Sequence, residues 1–268
     1  MANREQAREE RSDKHSGLKM LLAALLAALA VFGIGVGLNQ FYTTPTLVQS
    51  ASLSIPQSQG LSGVTLAFSS KVSSGDLITV ATAWYSNASG SVSSITEGAG
   101  TAKLGTPVRV TSQNASGGGN YEEVEVWYVK IKGSGSLTLS VNFTGEGDLY
   151  AIAQEVSGVT ASGLSSEATN GTLSGSPTTI SVPTFTPSYG SFVLGVASFD
   201  GGAKRANPSV GDPTFLMGAF GGAGYQQTAA EEYAVNWDGI ATTVPITANP
   251  SVRSPYAWCE VAVSLPNT

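Results

Sequence analysis

The side chains of this 268-residue chain that could do chemistry are almost all carboxylates, because it has one histidine, His15, and one cysteine, Cys259. Ser-His-Asp and Cys-His catalysis need an imidazole beside the nucleophile, and His-ligated zinc needs several. His15 lies near the N-terminus, and the long stretch from Asn39 to Thr268 contains none. The carboxylate chemistry that remains is glycoside hydrolysis, which requires two acids about 5–5.5 Å apart for retention or about 6.5–9.5 Å for inversion. Glu155 and Glu260 fall inside apolar, strand-like runs, where an unpaired carboxylate is costly. The plainer reading is that each points to solvent or pairs with a lysine such as Lys130. Glu122, Glu123, Glu125, Glu231 and Glu232 stand at the starts of predicted strands and read as solvated charge that discourages edge pairing. No residue is assigned a catalytic role on this basis.

Binding chemistry has three further candidates. No cofactor is expected beyond a candidate structural calcium, for which Glu146, Asp148, Asp200 and Asp238, beside glycines in predicted turns, offer oxygen ligands, although their spacing is not that of an EF-hand. Trp84, Trp127, Trp237 and Trp258 are candidate sugar-stacking surfaces, with core packing as the alternative. Asn87, Asn114, Asn142 and Asn170 head Asn-x-Ser/Thr triplets and are candidate glycosylation sites.

The elements that would position these groups divide the chain sharply. Met20 to Leu38 is an uncharged, apolar run; at about 1.5 Å per helical residue it approaches the ~30 Å thickness of a bilayer core. The head before it, residues 1–19, carries Arg4, Arg8, Arg11, Lys14 and Lys19, which favours a cytoplasmic N-terminus. Ala28-Leu29-Ala30 has the form of a signal-peptidase site but lies mid-run, so an uncleaved signal-anchor over 20–38 is preferred. The expected organisation is a cytoplasmic head, a single-pass membrane helix, a stalk or first strand over 39–62, and an extracellular domain over 63–268. After Lys19 there are eight Lys or Arg against fifteen Asp or Glu, a formal charge of −7, which disfavours nucleic acid as a partner. A lone cysteine permits no intrachain disulfide, and an external part of this size can bury a sufficient core without one.

Beyond the apolar run the periodicity is that of strands. Leu77 to Tyr85 is nearly unbroken apolar sequence after a turn at Gly75, as in a buried central strand, whereas Leu137, Leu139, Val141 and Phe143 alternate with polar residues. The order recurs. Tyr189 to Phe199 corresponds to the Gly75 strand, Glu231-Glu232-Tyr233 parallels Glu122-Glu123-Val124, and Tyr256-Ala257 parallels Tyr150-Ala151. Two related halves, about 63–160 and 175–268, are expected to form an all-β, antiparallel sandwich with one core.

The succession Ser74-Gly75-Asp76-Leu77, Val126-Trp127-Tyr128-Val129, Leu137-Thr138-Leu139-Ser140-Val141 and Ala153-Gln154-Glu155-Val156-Ser157-Gly158-Val159 resembles the jelly-roll, often lectin-like sandwich modules of prokaryotic surface and phage-associated proteins. The resemblance implies a fold and a surface setting, with no catalytic residues to carry over. The function expected is structural: adhesion or surface assembly at the cell membrane, by exchange of the segment Thr46 to Ile55 between copies. A glycan-binding module is the alternative, and a carboxylate-dependent glycosidase the more distant one.

Overall fold

The computed structural model describes residues 43–55, 60–117, 119–171, 179–200, 215–220, 227–234, 244, 246–247 and 258–268. The head, the apolar run Met20 to Leu38, Trp237 and Asp238 lie outside them. Among the described residues there is no helix, and so none long and apolar enough to cross a membrane. Apart from Thr43, every described residue belongs to one compact unit, Thr44–Thr268.

The described residues of this unit form sixteen strands: β1 (Thr46–Ile55), β2 (Gly63–Ala67), β3 (Leu77–Ser86), β4 (Val92–Gly100), β5 (Lys103–Leu104), β6 (Val108–Gly117), β7 (Asn120–Gly133), β8 (Leu137–Phe143), β9 (Asp148–Ser157), β10 (Ser165–Gly171), β11 (Thr179–Ile180), β12 (Phe192–Asp200), β13 (Phe215–Phe220), β14 (Gln227–Ala234), β15 (Ile246–Thr247) and β16 (Trp258–Leu265). All pairings are antiparallel. A first large sheet runs β1-β9-β3-β7, with β5 and β6 sharing the far side of the long β7, and a first small sheet runs β2-β8-β4. A second large sheet runs β10-β16-β12-β14-β13, and β11 pairs β15.

The halves therefore share one strand plan. Exchanging β1, β9, β3, β7 and β6 for β10, β16, β12, β14 and β13 converts the first large sheet into the second. The turns that launch the central strands agree in detail. Gly75 and Gly190 both take positive φ (103° and 75°), where L side chains are strained, and Asp76 N–H donates to Ser73 O as Ser191 N–H donates to Ser188 O. From this anchor the sheet register equates Leu77 with Phe192, Val126 with Glu231 and Val156 with Leu265. The sequence parallels located the right strands and slipped within two of them: Glu122 is equivalent to Gln227, four residues from the expected Glu231, and Tyr150 to Cys259, three residues from Tyr256. A slip of three turns every side chain to the opposite face, and only hydrogen-bonded partners fix it.

Among the described residues the expected single core is instead three apolar clusters. Ile78, Val80, Trp84, Val129 and Ile131 pack with Leu66, Ile95, Leu139 and Val141 between the first large and small sheets. The opposite face of the same strands, with Leu77, Ala81, Val124, Val126 and Ile152, packs against Phe192, Leu194, Val196, Val261 and Val263 of the second large sheet. On that sheet's outer face, Val193 and Ala262 meet Val182, Phe185 and Val244. A strand such as β3 is thus apolar on both faces because each faces a sheet, which explains its unbroken hydrophobic run. The segment Thr46 to Ile55 is an integral sheet strand, β1, paired along β9 with a bulge at Leu47/Gln49.

Candidate functional site

The carboxylates expected at solvated strand starts are largely buried. Glu122, Glu125 and Glu231 are 0–1% exposed, as are Glu155 and Glu260. Their strands are central, so the alternation that turns one apolar residue inward turns every second neighbour with it. Each burial must then be met by hydrogen bonds or by protonation.

Glu155 is met by hydrogen bonds. On β9 it accepts from Gln49 Nε2 of β1 at 2.7 Å and from Ser73 N–H at 2.7 Å, while Ser70 N–H donates to Gln49 Oε1 at 3.0 Å. The expected lysine partner is replaced by an amide and a backbone N–H. Asp76 lies beside it; partial burial, then the charge of Glu155 and a hydrogen bond with it, push the Asp76 carboxyl up to about 6.

Glu125 is the second partnered acid. Val92 N–H donates to its Oε1 at 2.6 Å, Trp127 Nε1 donates to Oε2 at 2.9 Å, and Arg109 Nη1 lies 3.7 Å from Oε2 while its guanidinium covers the Trp127 ring. Burial raises its pKa, and these donors oppose the rise. Glu123, two residues away on the same face, is pushed up to about 7 by burial and by the Glu125 charge. The cluster clamps β4 and β6 onto β7.

Between the large sheets the solution differs. Glu122 Oε2 accepts from Ser198 Oγ across the interface. Glu231, level with Val196 on the face that packs against the first large sheet, has no hydrogen-bond partner among the described residues, and burial alone pushes its carboxyl up to about 8. Beside this layer the buried Cys259 thiol is held well above its ordinary range, by burial first and then by nearby acids including Glu122.

These placements separate the proposed glycosidase pair. Glu155 is level with Ile78 and faces the first small sheet, whereas Glu260 is level with Ala197 and shares the outer face of the second large sheet with Ala262. Two sheet backbones, about 10 Å apart in ordinary packing, stand between them, so both cannot flank one glycosidic bond.

Of the tryptophans, Trp84 is 2% exposed and is core; it is no stacking surface. Trp127 is half-buried under Arg109, and Trp258 is half-buried at the start of β16. Glu146 is exposed and Asp148 buried, and among the described residues no three His, Cys, Asp or Glu side chains gather to hold a metal. Asn87 and Asn114 are exposed, Asn142 is exposed and donates to Ser94 Oγ at 3.0 Å, and Asn170 is on β10 opposite Cys259.

A groove of 390 Å³ was not foreseen from the sequence. It opens where the chain crosses between halves and is lined by the turn leading into β3, the β5–β6 connection, Tyr128, Lys130 and Lys132 of β7, the segment Val159 to Ala161, and Thr268. Tyr128, Lys130 and Lys132 share one face of β7, the face that carries Val124 and Val126 into the layer between the sheets. The sequence signal was a core-facing alternation that turns cationic at its end.

No family model, curated protein or solved structure matches this chain.

Proposed function

We propose that this is a membrane-anchored, non-catalytic β-sandwich of the cell exterior that arose by internal duplication and assembles with other copies through β1. The apolar run Met20 to Leu38 supports the anchor. The strand plan supports a jelly-roll reading: leaving out the two-residue β5, the first half's strands count 1-8-3-6-5 across the large sheet and 2-7-4 across the small one. The donors that hold Glu125 and Glu155 between strands favour a structural role over carboxylate catalysis.

One observation carries the assembly reading. β1 ends the first large sheet and, among the described residues, pairs on one side only, with Val48 and Leu53 48% and 39% exposed. A β1 that leaves its own β9 and docks on that of a second copy remakes the same register and the same Gln49 to Glu155 bond, so concentration decides the outcome. Ser50 and Gln154 are direct partners in this register. In full-length Ser50→Cys/Gln154→Cys protein, oxidised in native membranes, exchange predicts a ladder of interchain products, with buried Cys259 standing aside. Intrachain closure alone, at every expression level, would remove this reading.

A further inference from the structure

The groove at the crossing between halves has the makings of a ligand site independent of β1 exchange, and we infer that it binds an acidic saccharide, with the sugar's carboxylate at Lys130 and Lys132 and its ring against Tyr128. After Lys19 the chain holds only eight cationic side chains against fifteen acidic ones, and two of the eight line this one groove. Neither forms an ion pair among the described residues, whereas Lys103 and Arg109 are matched to Glu97 and Glu125. Two ammonium groups, about 7 Å apart along one strand face, bring positive charge to this groove in an otherwise acidic domain, with Thr268 also on its wall.

The walls select the rest of the ligand. Tyr128 is half-buried, and Val108, directly opposite it in the β6–β7 register, is 41% exposed, so an apolar and aromatic patch continues from the lysines. Thr106 and Thr160 add hydroxyls at the rim. A sugar ring has this duality, an apolar face and a polar edge, and a uronate adds one carboxylate per ring. A polyphosphate backbone would meet the domain's net −7 with far more charge than two lysines answer.

The groove is also preformed. Gly105 N–H donates to Lys130 O at 2.7 Å, Ile131 N–H to Asp76 O at 2.9 Å, and Thr160 N–H to Pro266 O at 2.8 Å. Its walls are thereby tied to both halves, and little ordering remains to oppose binding.

Isothermal titration of the full-length protein in detergent, with oligogalacturonate as the probe and the uncharged methyl-ester oligomer and sodium sulfate as comparators, tests the inference. Oligogalacturonate is expected to bind, to weaken as salt rises, and to lose about tenfold in affinity in Lys130→Ala or Lys132→Ala, with partial recovery in the Lys→Arg variants. Tyr128→Leu, which keeps an apolar side chain in the core layer, is expected to weaken oligogalacturonate and leave the response to sulfate unchanged. The inference is overturned if oligogalacturonate fails to bind at millimolar concentration, if the methyl ester binds equally well, if sulfate competes at equal concentration, or if the lysine variants, folded by circular dichroism, bind as the parent does.

Discussion

Glu125 and Glu155 in the first half of the molecule have their buried charge answered by donors, whereas Glu231 in the second is left to the proton. In the first, Glu125 collects a backbone N–H, an indole N–H and a guanidinium, and Glu155 an amide and a backbone N–H. In the second, Glu231 sits in an equivalent strand at the position held by Val126 in the first, fully buried, with no such donors among the described residues. One strand plan thus tolerates two polar solutions, and they differ in pH response. A carboxylate fixed by donors can remain charged, whereas one that is merely desolvated is stable in the fold only when neutral.

Exchanging the residues at this shared position breaks the comparison most directly. Val126→Glu places an acid in the layer between the large sheets without donors and is expected to cost at least about 3 kcal/mol at pH 7, seen as a large fall in the urea midpoint. Glu231→Val is expected to do the reverse. Because burial raises the Glu231 pKa from 4.5 to about 8, its neutral form is the one the fold favours; stability is greatest below pH 4.5 and declines as pH rises to about 8. The variant should gain a few kcal/mol at pH 8, about the same as the parent at pH 4, and a parent stability that is flat between those values would contradict the assignment.

Removing donated-to charge in the first half comes next in size. Glu125→Ala strands Val92 N–H, Trp127 Nε1 and Arg109 and should cost roughly 2–4 kcal/mol in denaturant unfolding, more than Arg109→Ala, whose guanidinium is half-exposed. Equal losses would place the stabilisation in the ion pair instead of the N–H donors.

The smallest effect sharpens the contrast at the β1 clamp. Asp76 is pushed from 3.8 to about 6, so its favoured form is also the protonated one, and stability from this group declines as pH rises from about 4 to 6. Asp76→Asn keeps a donor toward Glu155 and should remove that slope. The gain above pH 6 is about 1 kcal/mol or less, since water screens a partly exposed carboxyl.

Much of the fold was legible. The β3 run, the alternation of β8 and the recurrence of the Gly75 turn at Gly190 are local patterns, set by a period of two and by a backbone that needs glycine at positive φ. The acids were misread because solvation was judged from position at a strand start, whereas Glu122 and Glu125 lie on a strand that is packed on both faces. Lys130 was read only as a partner for a buried glutamate, and Lys132 only as part of the charge balance, because the groove they line is completed by the distant segment Val159 to Ala161.

Composition and local pattern set the class: strands in a repeated order, a chain poor in cations beyond its head, a part without imidazole, and an apolar run long enough to span a bilayer. Those properties reside in composition and near-neighbour periodicity. Register, the back-to-back packing of the two large sheets, the fate of each buried carboxylate and the groove where the halves meet were decided only in the tertiary structure. Each depends on which residue stands opposite which across tens of positions of chain, and alternation along a strand specifies that two faces exist without specifying what covers them.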